Sequence, residues 1–368
     1  MRRRDILQIG AVSSLGAVFG CTTSSQNPMT TPPKSPARAE GPKAAKIAYF
    51  AQFGITEKLL AETLAVAMAK GGDRADVFLQ HKVSRTMALE DGEVNRAYAQ
   101  VELGAGVRVV QGDQTGYGYT EDLTLEALKN AAATAAAIAS GPSRSAPTAF
   151  RADPGKHGAF PSYYEPSRRL NHLRAEEEAP VLLGLNEGTK KAGPRTQEVS
   201  TGIADEWGAV LIADSEGRLV EDIQPMAQLW LSCTAEQGGK RETNGYNVAG
   251  REDMSFFSEE RLARVIKNAV DRTTILFEAE PAPAGELPVV MAAGSSGILL
   301  HEAIGHGMEA DFNRKNVSIY ADKIGQNIAQ PFVSIVDDGT IGRARGSINV
   351  DDEGNVSQKT MLGEGGKL

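Results

Sequence analysis

Cysteine is almost missing from this chain: Cys21 and Cys233 are the only two. Two such distant cysteines make no disulfide framework, so the fold must stand on its apolar cores. Aromatic residues are sparse at 6%, and the formal net charge of -8 comes with no dense stripe of Lys or Arg. That balance excludes a basic nucleic-acid surface. Histidine is scarce as well, with five in 368 residues, so two of them close together stand out. What is abundant is small: 39 glycines, with alanine-dense runs, suit tight turns and close-packed helices. The length leaves room for two domains, each with its own core.

The first segment reads as an address. Met1, Arg2, Arg3 and Arg4 form a basic start, followed by an apolar, small-residue stretch to Gly20 that is too short to span a bilayer permanently. Arg3-Arg4 followed by Asp5, Ile6, Leu7 and Gln8 resembles a twin-arginine export signal. Val18-Phe19-Gly20-Cys21 resembles a lipobox, with Cys21 as the lipidated residue, although Phe19 is bulky for that motif. These residues place the chain outside the cytoplasm, in the periplasm, with a lipid anchor at Cys21 as its membrane contact. Residues 22–46 are rich in Thr, Ser, Pro, Ala and Lys without apolar periodicity and read as a flexible tether.

Beyond the tether, apolar spacing predicts a helix over 55–69, stopped by Gly71-Gly72. A short alternating run covers 75–84, and Asp91-Gly92 marks a two-residue hairpin between 86–90 and 93–101. A second hairpin joins 106–110 to 116–120 through residues 111–115, and an alanine-dense helix runs over 123–139. An ordered loop at 150–164, a charged helix at 168–185 and strands at 196–201, 209–214, 219–222 and 227–235 follow. Gly238-Gly239 and Gly245 read as a mobile polar loop, and 259–278 as an amphipathic helix. Cys233, in the run Leu229-Trp230-Leu231-Ser232-Cys233, reads as a small buried hydrophobe. Pro281 to Gly285 is the main internal boundary. The fold class is α+β: an N-terminal domain of antiparallel strands and helices over 47–280, then an incomplete, mostly-β domain over 281–368.

One constellation carries chemistry. After a predicted buried strand at 287–292 and a turn at 294–297, a helix opening at Ile298 contains His301-Glu302-Ala303-Ile304-Gly305-His306. Two imidazoles offer nitrogen ligands to a divalent ion such as zinc, and the carboxylate between them can take a proton from a water that the ion polarises. Metallopeptidase histidines commonly sit at i and i+4, whereas these sit at i and i+5. On a regular α-helix they would diverge by roughly 140°. A shared metal therefore requires local widening, such as a π-type turn, with Gly305 easing the distortion. Without a metal, the same pattern suits two histidines packing or capping around a glycine-rich helix.

The string from Leu299 to Phe312 resembles the signature of the TldD half of the TldD/PmbA family. Ala88 to Gly92, Gly104 to Val110, Thr115 to Thr120, Ala279 to Glu286, Val336 to Thr340, Arg345 to Ser347 and Asn349 to Gly354 are similar to further segments of that family. The resemblance implies a metallopeptidase acting on unfolded or extended peptides, with metal on His301 and His306, Glu302 as general base, and a PmbA-like partner chain. Ser295-Ser296 departs from the usual Trp-Pro before the motif. Relatives also continue well beyond Leu368 and supply a cysteine as third ligand, so the resemblance implies a truncated catalytic domain one ligand short. Glu309 and Asp311 are stand-in ligands or ordinary solvated or capping groups, and Asp337-Asp338 and Asp351-Asp352 read as turn residues. The alternative is a non-catalytic exported lipoprotein or assembly module with a broken site.

Overall fold

The computed structural model describes residues 47–147, 149–152, 160–164, 175–193, 195–252, 254–294 and 296–368. The export signal, Cys21 and the tether lie outside the described residues, as does the start of the predicted helix at 168–185.

The chain opens with helix α1 (Glu57–Ala67), whose Thr56 hydroxyl accepts from the Leu59 N–H as an N-cap. Strands β1 (Arg74–Glu90), β2 (Glu93–Gln111) and β3 (Gln114–Thr120) follow, then helix α2 (Leu125–Ala136) and helix α3 (Ala175–Ala192). Strands β4 (Thr196–Asp214), β5 (Leu219–Gln237) and β6 (Lys240–Gly250) precede helix α4 (Glu259–Thr274). The six strands form one sheet in the order β3-β2-β1-β4-β5-β6, with every pair antiparallel. Among the described residues no helix is long and apolar enough to cross a membrane.

Several short predicted strands prove to be parts of longer ones. The polar stretch at 80–86 does not end β1, because its backbone pairs on both sides, with β2 and with β4. Glycine and charge around 202–208 break the apolar pattern but not β4. Gly202 is required by packing, since a Cβ there would lie 1.9 Å from the Trp230 ring. Pro225 is tolerated inside β5 because β6 pairs only from Ala227 onward, leaving that stretch an edge. Asp91 and Gly92 turn the first hairpin with φ of 50° and 90°. The second hairpin is tighter than predicted, with Gln111 opposite Gln114. The loop expected around Gly238 to Gly245 is instead a two-residue turn and the edge strand β6.

Side chains alternate along a strand, so residues of one parity share a face. Ala75, Val77, Leu79, Val107, Val109, Trp207 and Leu211 bury one end of that face under α1 and α2. Met87, Leu89, Val199, Ile203, Leu229, Leu231 and Cys233 bury the other end under α3 and α4. Between these cores, at the same parity, Arg85 stands directly opposite Asp205. Cys233 is buried, as expected, with its sulfur 3.2 Å from the Thr273 hydroxyl, and burial raises its pKa.

The reverse face of the sheet receives the last part of the chain. Arg108 bonds Asp76 and reaches Glu353 at 2.8 Å, and Arg218 donates to the Glu353 carbonyl and to Asn355. Tyr164 donates to Asp222 at 2.7 Å and accepts from the Asn349 N–H, while the Asn349 amide donates to Asp222. Burial, with the Asp222 charge beside it, holds the Tyr164 hydroxyl well above its ordinary pKa. Asp351 accepts from the N–H groups of Glu353 and Asn355, so it is a turn residue as read from sequence.

Residues 287–292 do not form the buried strand predicted for them. Val289 and Val290 are 79% and 97% exposed, and no described strand pairs with the segment. Pro288 removes one ladder donor, and an extended run without a neighbour has no ladder to join.

Candidate metal centre

Helix α5 (Gly297–Leu300) begins in the regular manner, then changes pitch. Residues His301–Gly305 form a π turn and His306–Met308 a 3-10 turn, before the short helix α6 (Ala310–Arg314). The small remaining sheet pairs β7 (Ile335–Asp338) with β8 (Lys359–Gly363). An exposed ion pair, Arg314 to Asp113 at 2.7 Å, ties α6 to the β2–β3 turn.

The irregularity expected between the histidines is present. The His306 N–H donates to the His301 carbonyl, five residues back. That one-residue widening turns side chains that would otherwise diverge toward one another. The two imidazole centroids are 4.3 Å apart, with ring planes at 69°. Ligand atoms of His301, Glu302 and His306 all lie within 4.8 Å of one another. The Glu302 carboxylate is 3.9 Å from His306 Nε2. Two exposed imidazoles suit zinc and similar ions, and the carboxylate beside them is placed to take a proton from a water near such an ion.

The turn does not call on Gly305 in the way expected. Its backbone is ordinary right-handed helix at φ -54° and ψ -58°, so no glycine-specific conformation is needed. A Cβ there would meet the His301 ring at 3.4 Å, an ordinary contact distance, so packing does not demand a glycine either.

Sequence reasoning left Glu309 between stand-in ligand and solvated or capping group. It is exposed and stands at the N-cap of α6, and it also partners a histidine of the motif. Its carboxylate oxygen lies 2.7 Å from His306 Nδ1, and this hydrogen bond is the main reason the imidazole pKa is raised. With Nδ1 engaged by Glu309, Nε2 is the ring nitrogen left to face Glu302. The i,i+3 spacing from His306 was the available signal. Asp338 serves a turn, accepting from the Thr340 N–H and hydroxyl, and this holds its pKa below the usual carboxylate range. Among the described residues, Cys233 lies in the α4-covered core rather than in this cluster.

Three domain profiles match: PmbA/TldA metallopeptidase domain 1 over residues 75–139, the central domain over 169–277 and the C-terminal domain over 284–368. The chain is 35% identical over 304 residues to a Haemophilus influenzae protein named metalloprotease TldD homolog, covering 80% of this chain and 62% of that one. It is 26% identical to a Methanocaldococcus jannaschii metalloprotease, covering 81% of this chain and 65% of the relative. The chain thus spans less than two thirds of the length of these curated relatives. In fold it is similar to the crystal structure of TldE from Thermococcus kodakarensis, with a TM-score of 0.65, 18% identity, and coverage of 84% of this chain and 68% of that one.

Proposed function

The chain belongs to the PmbA/TldD metallopeptidase family, and on that footing we propose that it cleaves extended or unfolded peptides with a divalent metal, zinc, held by His301 and His306. One observation carries the reading: the π turn that gathers His301, Glu302 and His306 to within 4.8 Å. A divalent ion held by His301 and His306 would supply Lewis acidity toward a peptide carbonyl and would make water a better acid. Glu302, beside His306 Nε2, takes the proton from the attacking water and returns it to the departing amine. Glu309 holds the His306 ring in the tautomer and orientation that metal binding needs. An extended peptide that docks through its backbone would be accepted with loose side-chain preference. A PmbA-like chain is the proposed partner.

The test measures metal and cleavage together on the full chain. The reading requires about one zinc per chain and hydrolysis of an unstructured peptide, both lost in His301→Ala. Full metal content in that variant would remove the histidine pair from the site.

We also propose export and membrane anchoring through Cys21, on the strength of the Arg3-Arg4 signal and the lipobox-like Val18 to Cys21. Cys21→Ser should move the protein from the membrane to the soluble periplasmic fraction; an unchanged distribution would remove the anchor.

A further inference from the structure

A π turn is a strained choice, and what holds it open lies outside the motif. The end of α6 and the loop after it, from Asn313 to Tyr320, fold back over the carbonyl side of the turn. The Tyr320 hydroxyl donates to the Ala303 carbonyl at 3.2 Å, in the middle of the span between the two histidines. The Asn313 amide donates to the carbonyls of Gly307 and Glu309 at 3.0 and 2.9 Å, and the Ser318 hydroxyl also donates to Gly307. Ser318 in turn accepts from the Tyr320 N–H at 3.0 Å, so the brace is itself braced. The Tyr320 ring lies against Gly307, where a Cβ would come within 2.7 Å of it.

From these contacts we propose that Tyr320 is a positioning residue for the metal centre: its hydroxyl on the Ala303 carbonyl and its ring on Gly307 keep the π turn open and the two imidazoles facing each other. The proposal rests on the metal reading given above. The physical reason is local. A helix carbonyl needs a donor, and where the ladder changes from the i+5 bond of His306 to a 3-10 turn the spacing of N–H groups is disturbed. A hydroxyl from outside satisfies the carbonyl without demanding that the turn revert to α-helical pitch. If it did revert, His301 and His306 would again point roughly 140° apart.

The experiment titrates the purified chain with Co2+ as the probe and follows the visible absorption of the bound ion, alongside thermal melting. Tyr320→Phe removes only the hydroxyl. It should weaken Co2+ binding about tenfold to a hundredfold and shift the absorption bands, as loss of outer support does at metal sites, while the melting midpoint stays at the wild-type value. Gly307→Ala, which displaces the ring, should act in the same direction. Tyr119→Phe, an exposed tyrosine on β3, should change neither quantity. Wild-type Co2+ affinity and spectrum in Tyr320→Phe would overturn the positioning role while leaving the metal reading intact. A wild-type chain that takes up no Co2+ would overturn both.

Discussion

His306 and Glu309 face each other across one helical turn, with Nδ1 and a carboxylate oxygen 2.7 Å apart. The pair fixes which nitrogen of the ring is free. Glu309→Ala should therefore lower metal affinity about tenfold to a hundredfold, and Glu309→Gln, which keeps an acceptor, by less. Competition with a chelator of known affinity measures both; equal affinities for all three proteins would reduce Glu309 to a solvated group.

As the proposed proton acceptor, Glu302 is separable from the two histidines. Glu302→Gln should retain its metal yet lose peptide cleavage by about a hundredfold or more, the usual weight of a positioned proton acceptor. Metal analysis and turnover on the same sample decide the matter. Loss of the metal itself would instead make Glu302 a ligand.

The belt between the two cores predicts a pH dependence. Arg85 bonds Asp205 at 3.0 Å and lies 3.6 Å from Glu178, so one cation serves two buried carboxyl groups. Burial pushes Asp205 up to about 7 despite Arg85, with Glu178 adding to the rise, and burial raises Glu178 too. The folded state thus keeps a proton that the unfolded chain releases near pH ~4, and the associated stability is lost as pH rises from about 4 to about 7. Glu178→Gln leaves one carboxylate for one guanidinium. Its melting midpoint should fall less than that of wild type between pH 5 and 8, by roughly 2–4 °C for each kcal/mol recovered. An equally steep fall in the variant would contradict the assignment.

Asp222 anchors the end of the chain to the reverse face through Tyr164 and Asn349. Asp222→Ala leaves both donors without that acceptor and should cost about 1–3 kcal/mol. Limited proteolysis should then cut within 339–356 sooner than in wild type; identical digestion patterns would show that the anchor contributes little there.

Much of the helical layer was legible because α1, α2 and α4 carry apolar periodicity and clear stops. Asp91-Gly92 announced its hairpin for the same kind of reason: a two-residue turn needs residues that accept positive φ. Strand length was not legible. Residues 80–86 and 202–208 look like interruptions because glycine and charged or polar side chains, Arg85 and Asp205 among them, break the apolar alternation there, whereas what continues a strand is backbone pairing with neighbours far away in sequence. The π turn could be inferred from the odd spacing of His301 and His306 only on the premise that both hold one metal. Tyr320 could not, since nothing in Ser318-Ile319-Tyr320 signals that its hydroxyl reaches back seventeen residues.

Strands as long as β1 have a mechanical consequence. At about 3.3 Å per residue, 17 residues run for nearly 60 Å, so one unbroken ribbon starts beneath α1 and finishes beneath α3. The two helical roofs share that ribbon as a common rafter. Sliding it by a single pairing step would turn the inward side chains of both roofs outward at once, so the sheet's alignment is secured twice over by separate weights.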